Sequence, residues 1–393
     1  MRNIWEINER KTLSEWLEAL KKVLPIYIAL HLAFLVLTCL AVLLLLNEGS
    51  SNALPLSTLW RSWWQWDARH YTYLATQGYT DWWRTAFFPL YPLLERGGMI
   101  FTRNPLTAGL LISNLCGLVM LVVLYRLVEE DFDSERAYRT VLYLSVFPTA
   151  FFFAAPYTES LFLCLTLLSF YFMRRGSWWL AGVFAFLTTL TRVTGFFLLL
   201  PFCYEYLRQH HFKARKIRLD ILSSLLIPAA FALFALYCYS LFHDPVPFMR
   251  AEGVIWSRVL HDPSYGIIRA IDAIGRADGV LSFTALRNIL DLSQVLFIPV
   301  PLVLIFVGPW KFPRSYWVYG VYAVVLYITL QLHPVEGDFP LQSVPRYMLE
   351  LFPAFIVLAG MGKYRLFHLI YLSVSLSILF FLLVQFVTNH WIT

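Results

Sequence analysis

Runs of about 17 to 25 mostly apolar residues recur along the chain, with short polar segments between them. A run of this length lets a helix cross a bilayer, where every backbone polar group must bond within the helix. The pattern therefore predicts an all-α polytopic membrane protein. We predict eleven transmembrane helices, at 24–46, 105–127, 140–156, 158–173, 178–191, 194–207, 219–242, 289–308, 315–332, 346–361 and 365–387.

Four of these predicted helices are short and pair as two hairpins. The first hairpin, 140–173, breaks at Pro156, and the second, 178–207, breaks around Thr194 and Gly195. Proline ends a helix because it lacks an N–H donor and clashes with the preceding turn. Both hairpin tips are predicted on the same side of the membrane.

The chain begins with an amphipathic segment, in which apolar positions share residues 1–22 with lysine and arginine. This composition is typical of a helix that lies in the membrane interface. We therefore divide the chain into a cytoplasmic interfacial helix, 1–23, and one integral membrane domain, 24–393.

Composition supports the membrane class. Of the 393 residues, 59% are hydrophobic and 14% are charged, whereas soluble domains carry about 25% charged residues. The formal charge of +6 is explained by membrane topology, so we predict no nucleic-acid partner. The five cysteines lie within apolar segments without metal-ligand spacing, which favours neither a disulfide framework nor a zinc site.

Basic residues set the predicted orientation. With the N-terminus inside, 19 of the 31 lysine and arginine residues fall in cytoplasmic segments, including every lysine, which follows the positive-inside rule. Three external regions result, at 47–104, 243–288 and 333–345, and the cytoplasmic loops are short. We therefore expect the chemistry on the external face, with interfacial helices in the long external loops.

The first external region contains an aromatic-rich segment, Trp60 to Leu74, with Asp67 in its middle. At helical spacing five side chains form one stripe that includes the position of Asp67, and the tryptophans indicate a membrane interface. Asp67 could be paired with Arg69 or His70, or be hydrated among lipid headgroups; the other interpretation is catalysis. The five stripe residues are Trp60, Trp63, Trp64, Tyr71 and Leu74.

Other outer residues offer charge or hydrogen bonds. Glu159 follows the turn Pro156–Thr158 and is expected in the first turn of a helix, where a carboxylate also complements the helix dipole. Arg192, Arg250 and Arg346 either reach the headgroups or bind a phosphate, for which a guanidinium is well suited.

One competing motif lies on the opposite side. Asp131-Phe-Asp133 has the Asp-x-Asp pattern that holds a metal and a nucleotide sugar in soluble glycosyltransferase domains. It falls in a short cytoplasmic loop without a βαβ pattern or a glycine-rich turn. We interpret it as a solvated charged segment.

Together, five short motifs resemble the PIG-V type of mannosyltransferase, which adds the second mannose of the glycosylphosphatidylinositol (GPI) anchor and has bacterial relatives. They occur in the family's order and extend over about 66–347. The motifs are Trp66-Asp67-x-x-x-Tyr71, Phe88-Pro-Leu-Tyr-Pro92, Pro156-Tyr-Thr-Glu-Ser160, Leu190-Thr-Arg192 and Pro345-Arg-Tyr347.

The resemblance implies a GT-C fold whose active site faces away from the cytoplasm. Such enzymes take sugar from a lipid phosphate, typically polyprenyl- or dolichyl-phosphate mannose. Their acidic residue in the first outer loop corresponds to Asp67, which we expect to act as general base in an inverting transfer. Substrate-binding candidates are His70, Tyr71, Tyr91, Tyr157, Glu159, Arg192, Asp244, Arg250 and Arg346.

The expected partners are the polyprenyl-phosphate sugar donor, a lipid or glycan acceptor, and membrane lipids. We expect no metal or other cofactor, a monomer, and a bacterial plasma membrane with the site facing outward (or the endoplasmic reticulum with a luminal site). Two alternatives stay open. A transporter or lipid flippase would favour inverted repeats, which the sequence lacks; a non-catalytic scaffold would not explain charges gathered on one face.

Overall fold

The protein's structure, a computed structural model, describes residues 2–46 and 55–390. Within these ranges the only β contact is an isolated antiparallel bridge between Arg258 and Val335, and the regular elements are helices. This confirms the predicted all-α fold. The first residues of the predicted external region 47–104 lie outside the described part of the chain.

Among the described residues, the first nine α-helices lie between Arg2 and Gln209. They are α1 (Arg2–Ala41), α2 (Ser57–Arg61), α3 (Asp67–Gln77), α4 (Leu90–Thr102), α5 (Pro105–Asp131), α6 (Ser134–Ser145), α7 (Glu159–Arg174), α8 (Trp178–Thr191) and α9 (Leu199–Gln209).

The C-terminal half adds nine more. They are α10 (Leu226–Phe242), α11 (Pro247–Val254), α12 (Tyr265–Arg276), α13 (Phe283–Phe297), α14 (Pro299–Leu304), α15 (Trp317–Gln331), α16 (Val344–Tyr347), α17 (Phe352–Met361) and α18 (Arg365–Val387).

Five stretches of helix among the described residues are long and apolar enough to cross a membrane. A sixth crossing is possible where Val344–Glu350 and Phe352–Met361 meet at a bend of 75°. The predicted count of eleven is therefore not confirmed. Several predicted spans are too short as helices: α6 ends at Ser145, and turns and a 3-10 segment follow it up to Pro156. The five stretches are Leu13–Leu45, Pro105–Asp131, Leu219–Phe242, Phe283–Leu304 and Arg365–Val387.

The first helix is continuous across the predicted boundary at residue 23. It runs from Arg2 to Ala41 with Pro25 inside, and a π-helical turn follows. Tyr27 and His31 bond Asn114 of α5, His31 Nε2 lying 2.7 Å from Asn114 Oδ1. The division into an interfacial helix and a membrane domain stays a prediction, because the described side chains begin within α1.

The centre of the bundle is formed by α7 and α17, which are buried along most of their length, and by the buried faces of α5 and α6. Helix α17 is apolar on all sides and is buried along almost its whole length. A helix that is hydrophobic all round is typically surrounded by neighbouring helices. The site described below lies at one end of this core.

The structure brings together segments that topology assigns to the same side. At one end, residues 257–261 form backbone hydrogen bonds with residues 332–336, and the Arg250 guanidinium lies 4.2 Å from the Trp82 ring centroid. These contacts join the three predicted external regions.

At the opposite end, Arg126 bonds Glu15, while Arg174 lies 3.1 Å from Glu205 and 3.4 Å from Asp131. Asp131 also accepts a hydrogen bond from Tyr319 at 2.6 Å. It is therefore buried and paired, and our interpretation of Asp131-Phe-Asp133 as a solvated charged segment is wrong for this residue.

Candidate active site

The aromatic segment before the site is two helices, and the prediction of one continuous helix is wrong. Helix α2 ends at Arg61 and α3 begins at Asp67. Between them Trp66 has φ of +39°, a conformation that a helix cannot contain. The predicted stripe is divided as a result: Trp60 is 55% exposed and Trp63 only 9%.

Asp67 lies in the first turn of α3 and pairs with a distant arginine. Its Oδ2 is 2.7 Å from Nη1 of Arg346. Arg69, one of the two neighbours that the sequence offers as partners, makes its hydrogen bonds elsewhere. It donates to Trp64 O at 3.1 Å and to Gln65 Oε1 at 3.0 Å. The interpretation in which Asp67 pairs with its neighbour Arg69 is therefore wrong.

Arg346 is held in the short helix α16. Ser343, with φ of +67°, begins this helix, and Thr149 Oγ1 donates to Pro345 O at 3.1 Å. From this position Arg346 Nη2 donates to the Tyr347 hydroxyl at 3.0 Å, and its Nε lies 3.6 Å from Glu159 Oε1. Arg346 thus connects Asp67 to a second acid.

Glu159 begins α7, as predicted, and is completely buried. Its Oε1 accepts from Nη2 of Arg192 at 2.5 Å. A buried carboxylate needs a charged or hydrogen-bonding partner, so the helix dipole alone does not explain this residue. Two arginines, Arg192 and Arg346, supply that compensation.

Arg192 follows α8 in extended conformation and is bound on three sides. Besides Glu159 it donates to Thr158 Oγ1 at 2.7 Å and to Glu350. The turn after it packs closely on α8: a Cβ at Gly195 would lie 2.6 Å from the Thr188 carbonyl carbon. Arg192 therefore points into the protein and does not reach towards headgroups.

These contacts form an alternating row of charges that we name the ion chain. Its order is Asp67–Arg346–Glu159–Arg192–Glu350. The Asp67 side chain is 16% exposed, whereas those of Glu159 and Glu350 are 0% and 2% exposed. Asp67 is thus the most exposed acid of the row.

Glu350 was missed by the sequence reasoning. It is the acid of the predicted span 346–361, and an acid inside a membrane span is itself a signal of function. The 75° bend between Glu350 and Phe352 carries the residue into the ion chain.

The three candidate tyrosines lie buried around the ion chain. Tyr71 approaches Thr158 Oγ1 at 3.4 Å, and Tyr157 donates to Gln65 O at 3.1 Å. Tyr91 donates to Gly109 O at 3.0 Å and lies 2.7 Å from Ser113 Oγ, so it ties α4 to α5. Burial raises the pKa of Tyr71, which keeps its hydroxyl protonated.

His70 lies one turn after Asp67 among aromatic rings. Its ring centroid is 4.8 Å from that of Phe87 and 5.3 Å from that of Trp83. Burial lowers the pKa of His70, and the nearby Asp67 carboxylate opposes the change in part. The imidazole is therefore neutral at pH 7.

Asp244 and Arg250 form a separate pair outside the ion chain. Arg250 Nη1 lies 3.4 Å from Asp244 Oδ2, and the guanidinium covers the Trp82 ring. With its side chain 53% exposed, Arg250 keeps a face towards solvent. Helix α11 also carries Glu252, an acid that the sequence does not single out; its Oε2 lies 3.2 Å from Nε of Arg258, and its side chain is 47% exposed.

Comparison with known proteins agrees with the motifs. Residues 88–239 match the family of dolichyl-phosphate-mannose-protein mannosyltransferases. GPI mannosyltransferase 2 of Cryptococcus neoformans is 29% identical over 230 residues, which cover 53% of this chain and 54% of that protein. GPI alpha-1,6-mannosyltransferase 2 of Rattus norvegicus is 31% identical over 204 residues, which cover 46% of this chain and 41% of that protein.

The chain is similar to GPI mannosyltransferases. This confirms the resemblance to the PIG-V type that the five motifs predict. The chain spans about half the length of the curated relatives it matches.

Two solved structures of ArnT from Cupriavidus metallidurans resemble the fold more distantly. The apo structure gives a TM-score of 0.49 at 15% identity, covering 86% of this chain and 59% of that one. The structure with undecaprenyl phosphate gives 0.46 at 16% identity, covering 70% and 49%. Both TM-scores lie below 0.5, where likeness decides neither fold nor function.

Proposed function

We propose that the protein transfers a sugar from a polyprenyl-phosphate donor to a lipid or glycan acceptor on the extracytoplasmic face. The resemblance of the chain to mannosyltransferases favours mannose as this sugar. The observation that carries the proposal is the ion chain, which ends at the partly exposed carboxylate of Asp67. The names of the sequence relatives support sugar transfer and mannose.

Asp67 is the proposed general base. Its carboxylate takes the proton of the acceptor hydroxyl while that oxygen bonds to the anomeric carbon. The bond from this carbon to the lipid phosphate oxygen breaks, and its electron pair leaves with the phosphate. Attack opposite the leaving group inverts the anomeric configuration.

Arg346 is proposed to position Asp67. Its Nη1 holds the Asp67 carboxylate and its Nη2 donates to the Tyr347 hydroxyl, so both terminal nitrogens have partners within the protein. Keeping the carboxylate in one orientation favours the reaction, because a misplaced base loses most of its effect. Arg192 is occupied in the same way by three acceptors.

Arg250 is the proposed partner of the lipid phosphate. Among the residues that the structure describes, its exposed guanidinium has one long ion pair, to Asp244, and it lies on the Trp82 ring. The neighbouring Trp83 contacts His70, one turn from Asp67, so the two parts of the site adjoin. A guanidinium there stabilises the charge that develops on the leaving phosphate, and the proposal needs no metal ion.

Reconstitution tests the proposed function. The purified full-length chain is placed in liposomes with polyprenyl-phosphate mannose, labelled in the sugar, and a synthetic GPI-type glycolipid bearing one mannose. We expect mass spectrometry to show the glycolipid extended by one mannose in α-linkage. Movement of the labelled donor between leaflets without any new glycoside would contradict the proposal and support a flippase.

A further inference from the structure

A row of polar side chains lies buried in the membrane domain, apart from the ion chain. On α13, Asn288, Asp291 and Gln294 follow at intervals of three residues and so share one face of the helix. Gln331, the last residue of α15, is also buried. We name these four residues the polar strip.

Polar atoms in this strip lack partners. Neither amide atom of Gln331 has a hydrogen-bond partner among the described residues, and the same holds for Asp291 Oδ2, Gln294 Oε1 and Asn288 Oδ1. An unsatisfied polar atom in an apolar interior costs free energy. Within a membrane protein such groups mark a functional site by default.

The strip adjoins the candidate active site. Helices α13 and α15 are joined by the Tyr327 hydroxyl, which donates to Val295 O at 3.2 Å. Both helices pack against α16, the helix that carries Arg346. The polar strip therefore stands beside the ion chain at the same end of the bundle.

A loop covers the strip. Asn288 Nδ2 donates to Asp338 O at 2.9 Å, and the Arg287 guanidinium lies 4.1 Å from the Phe339 ring centroid. This loop, into which Gln331 leads directly, therefore covers the strip at its Asn288 end.

The chemistry of the strip fits one class of ligand. The amide nitrogens of Asn288 and Gln294 already donate to backbone carbonyls. Among the described residues, the unpartnered atoms of the strip are therefore four acceptor oxygens and one donor, Gln331 Nε2. An apolar lipid tail would leave these acceptors unsatisfied, and a phosphate, whose oxygens also accept, would not pair with them. Closely spaced hydroxyls, which both donate and accept, satisfy such a set.

We propose that the polar strip binds the hydroxyl groups of a sugar residue, carried either by the lipid-linked donor or by the acceptor. The inference rests on the proposed function, because it assigns a sugar subsite to the same transfer reaction.

Binding by two variants tests the subsite. The wild-type protein, Gln331→Leu and Gln294→Leu are titrated in nanodiscs with polyprenyl-phosphate mannose, with polyprenyl phosphate, and with the one-mannose GPI-type glycolipid. We expect each variant to bind one of the two sugar-bearing lipids at least about tenfold more weakly, because at least one hydrogen bond is lost. The affinity for polyprenyl phosphate should be unchanged. Loss for the mannose donor assigns the strip to the donor, and loss for the glycolipid assigns it to the acceptor.

Thermal unfolding separates binding from structure. Because the Gln331 side chain has no hydrogen-bond partner within the described part of the chain, Gln331→Leu should not lower the melting temperature. Ser293→Ala, on the exposed face of α13, is the matched control and should leave all affinities unchanged.

Wild-type affinities in both variants would overturn the subsite, and so would a large fall in melting temperature with every affinity reduced alike. Failure of the wild-type protein to transfer mannose in the same nanodiscs would instead contradict the proposed function, which distinguishes the two failures.

Discussion

At the scale of single residues, the ion chain compensates buried charge by alternation. Two guanidiniums stand between three carboxylates, and each arginine contacts two acids. A buried charge that loses its partner is far more costly than an exposed one, so the middle of the row is its most sensitive part.

Arg192→Met should therefore destabilise the protein strongly. The variant leaves Glu159 and Glu350 without their shared cation, at a cost of about 3–5 kcal/mol in the free energy of unfolding. Chemical denaturation in detergent measures the loss. Arg250→Met is the control and should cost at most about 1 kcal/mol, because its pair is exposed. Equal losses for the two variants would contradict the role of the ion chain.

His70 gives a pH-dependent prediction. Its folded-state pKa lies below the ordinary value of about 6.5, so near and below that pH the unfolded chain binds more protons. Stability attributable to His70 is therefore present at high pH and is lost as the pH falls through this range. Between pH 7.5 and 5.5 the melting temperature of the wild type should fall further than that of His70→Phe. Parallel pH profiles would show that His70 is not the group responsible.

At the scale of elements, the first two residues of the ion chain, Asp67 and Arg346, lie in helices that follow turns in strained conformations. Trp66 precedes Asp67 and Ser343 precedes Val344 in α16, and both have positive φ without being glycine. Such conformations cost free energy and are typical of functional sites. They direct the following helix so that Asp67 and Arg346 meet.

Ser343→Gly and Ser343→Ala should differ in a characteristic direction. With φ of +67°, glycine is favoured at this position by about 1 kcal/mol over alanine. Ser293 in the middle of α13 is the matched control, since there alanine is favoured over glycine. Thermal unfolding of the four variants measures both orders. The same order at both positions would contradict the strained turn.

The positions of the helices are only partly predictable from the sequence. Apolar runs located the long helices α5, α10 and α18 closely, because length and hydropathy suffice for them. The break at Trp66 was not predictable, since no proline or glycine marks it. It depends on tertiary contacts such as the bond from Tyr157 to Gln65 O.

At the scale of the whole molecule, the sequence placed the charged residues on one face but not in their pairs. Asp67, Glu159, Arg192 and Arg346 were all predicted at the outer end, and the structure joins them. Their pairing depends on how α3, α7, α8 and α16 pack, which no local pattern encodes. Glu350 is not among the predicted site residues, because the sequence predicts that 346–361 is a regular transmembrane helix.

Cysteine labelling tests the predicted orientation. Asp272→Cys and Glu336→Cys should react with a membrane-impermeant maleimide on intact cells, because they lie in the predicted external regions. Lys213→Cys and Lys311→Cys should react only after permeabilisation. The native cysteines lie in apolar segments, and the unmodified chain provides the background. The reverse pattern would contradict the orientation.

The central claim is that Asp67 is the base for sugar transfer. Its most direct test is the rate of mannose transfer by Asp67→Asn in liposomes, beside Asp272→Asn, which removes an exposed outer carboxylate. We expect the Asp67 variant to remain folded, to bind polyprenyl-phosphate mannose, and to transfer at least about 100-fold more slowly, the scale of general-base catalysis. The Asp272 variant should transfer at the wild-type rate. Transfer at that rate by folded Asp67→Asn protein would contradict the account.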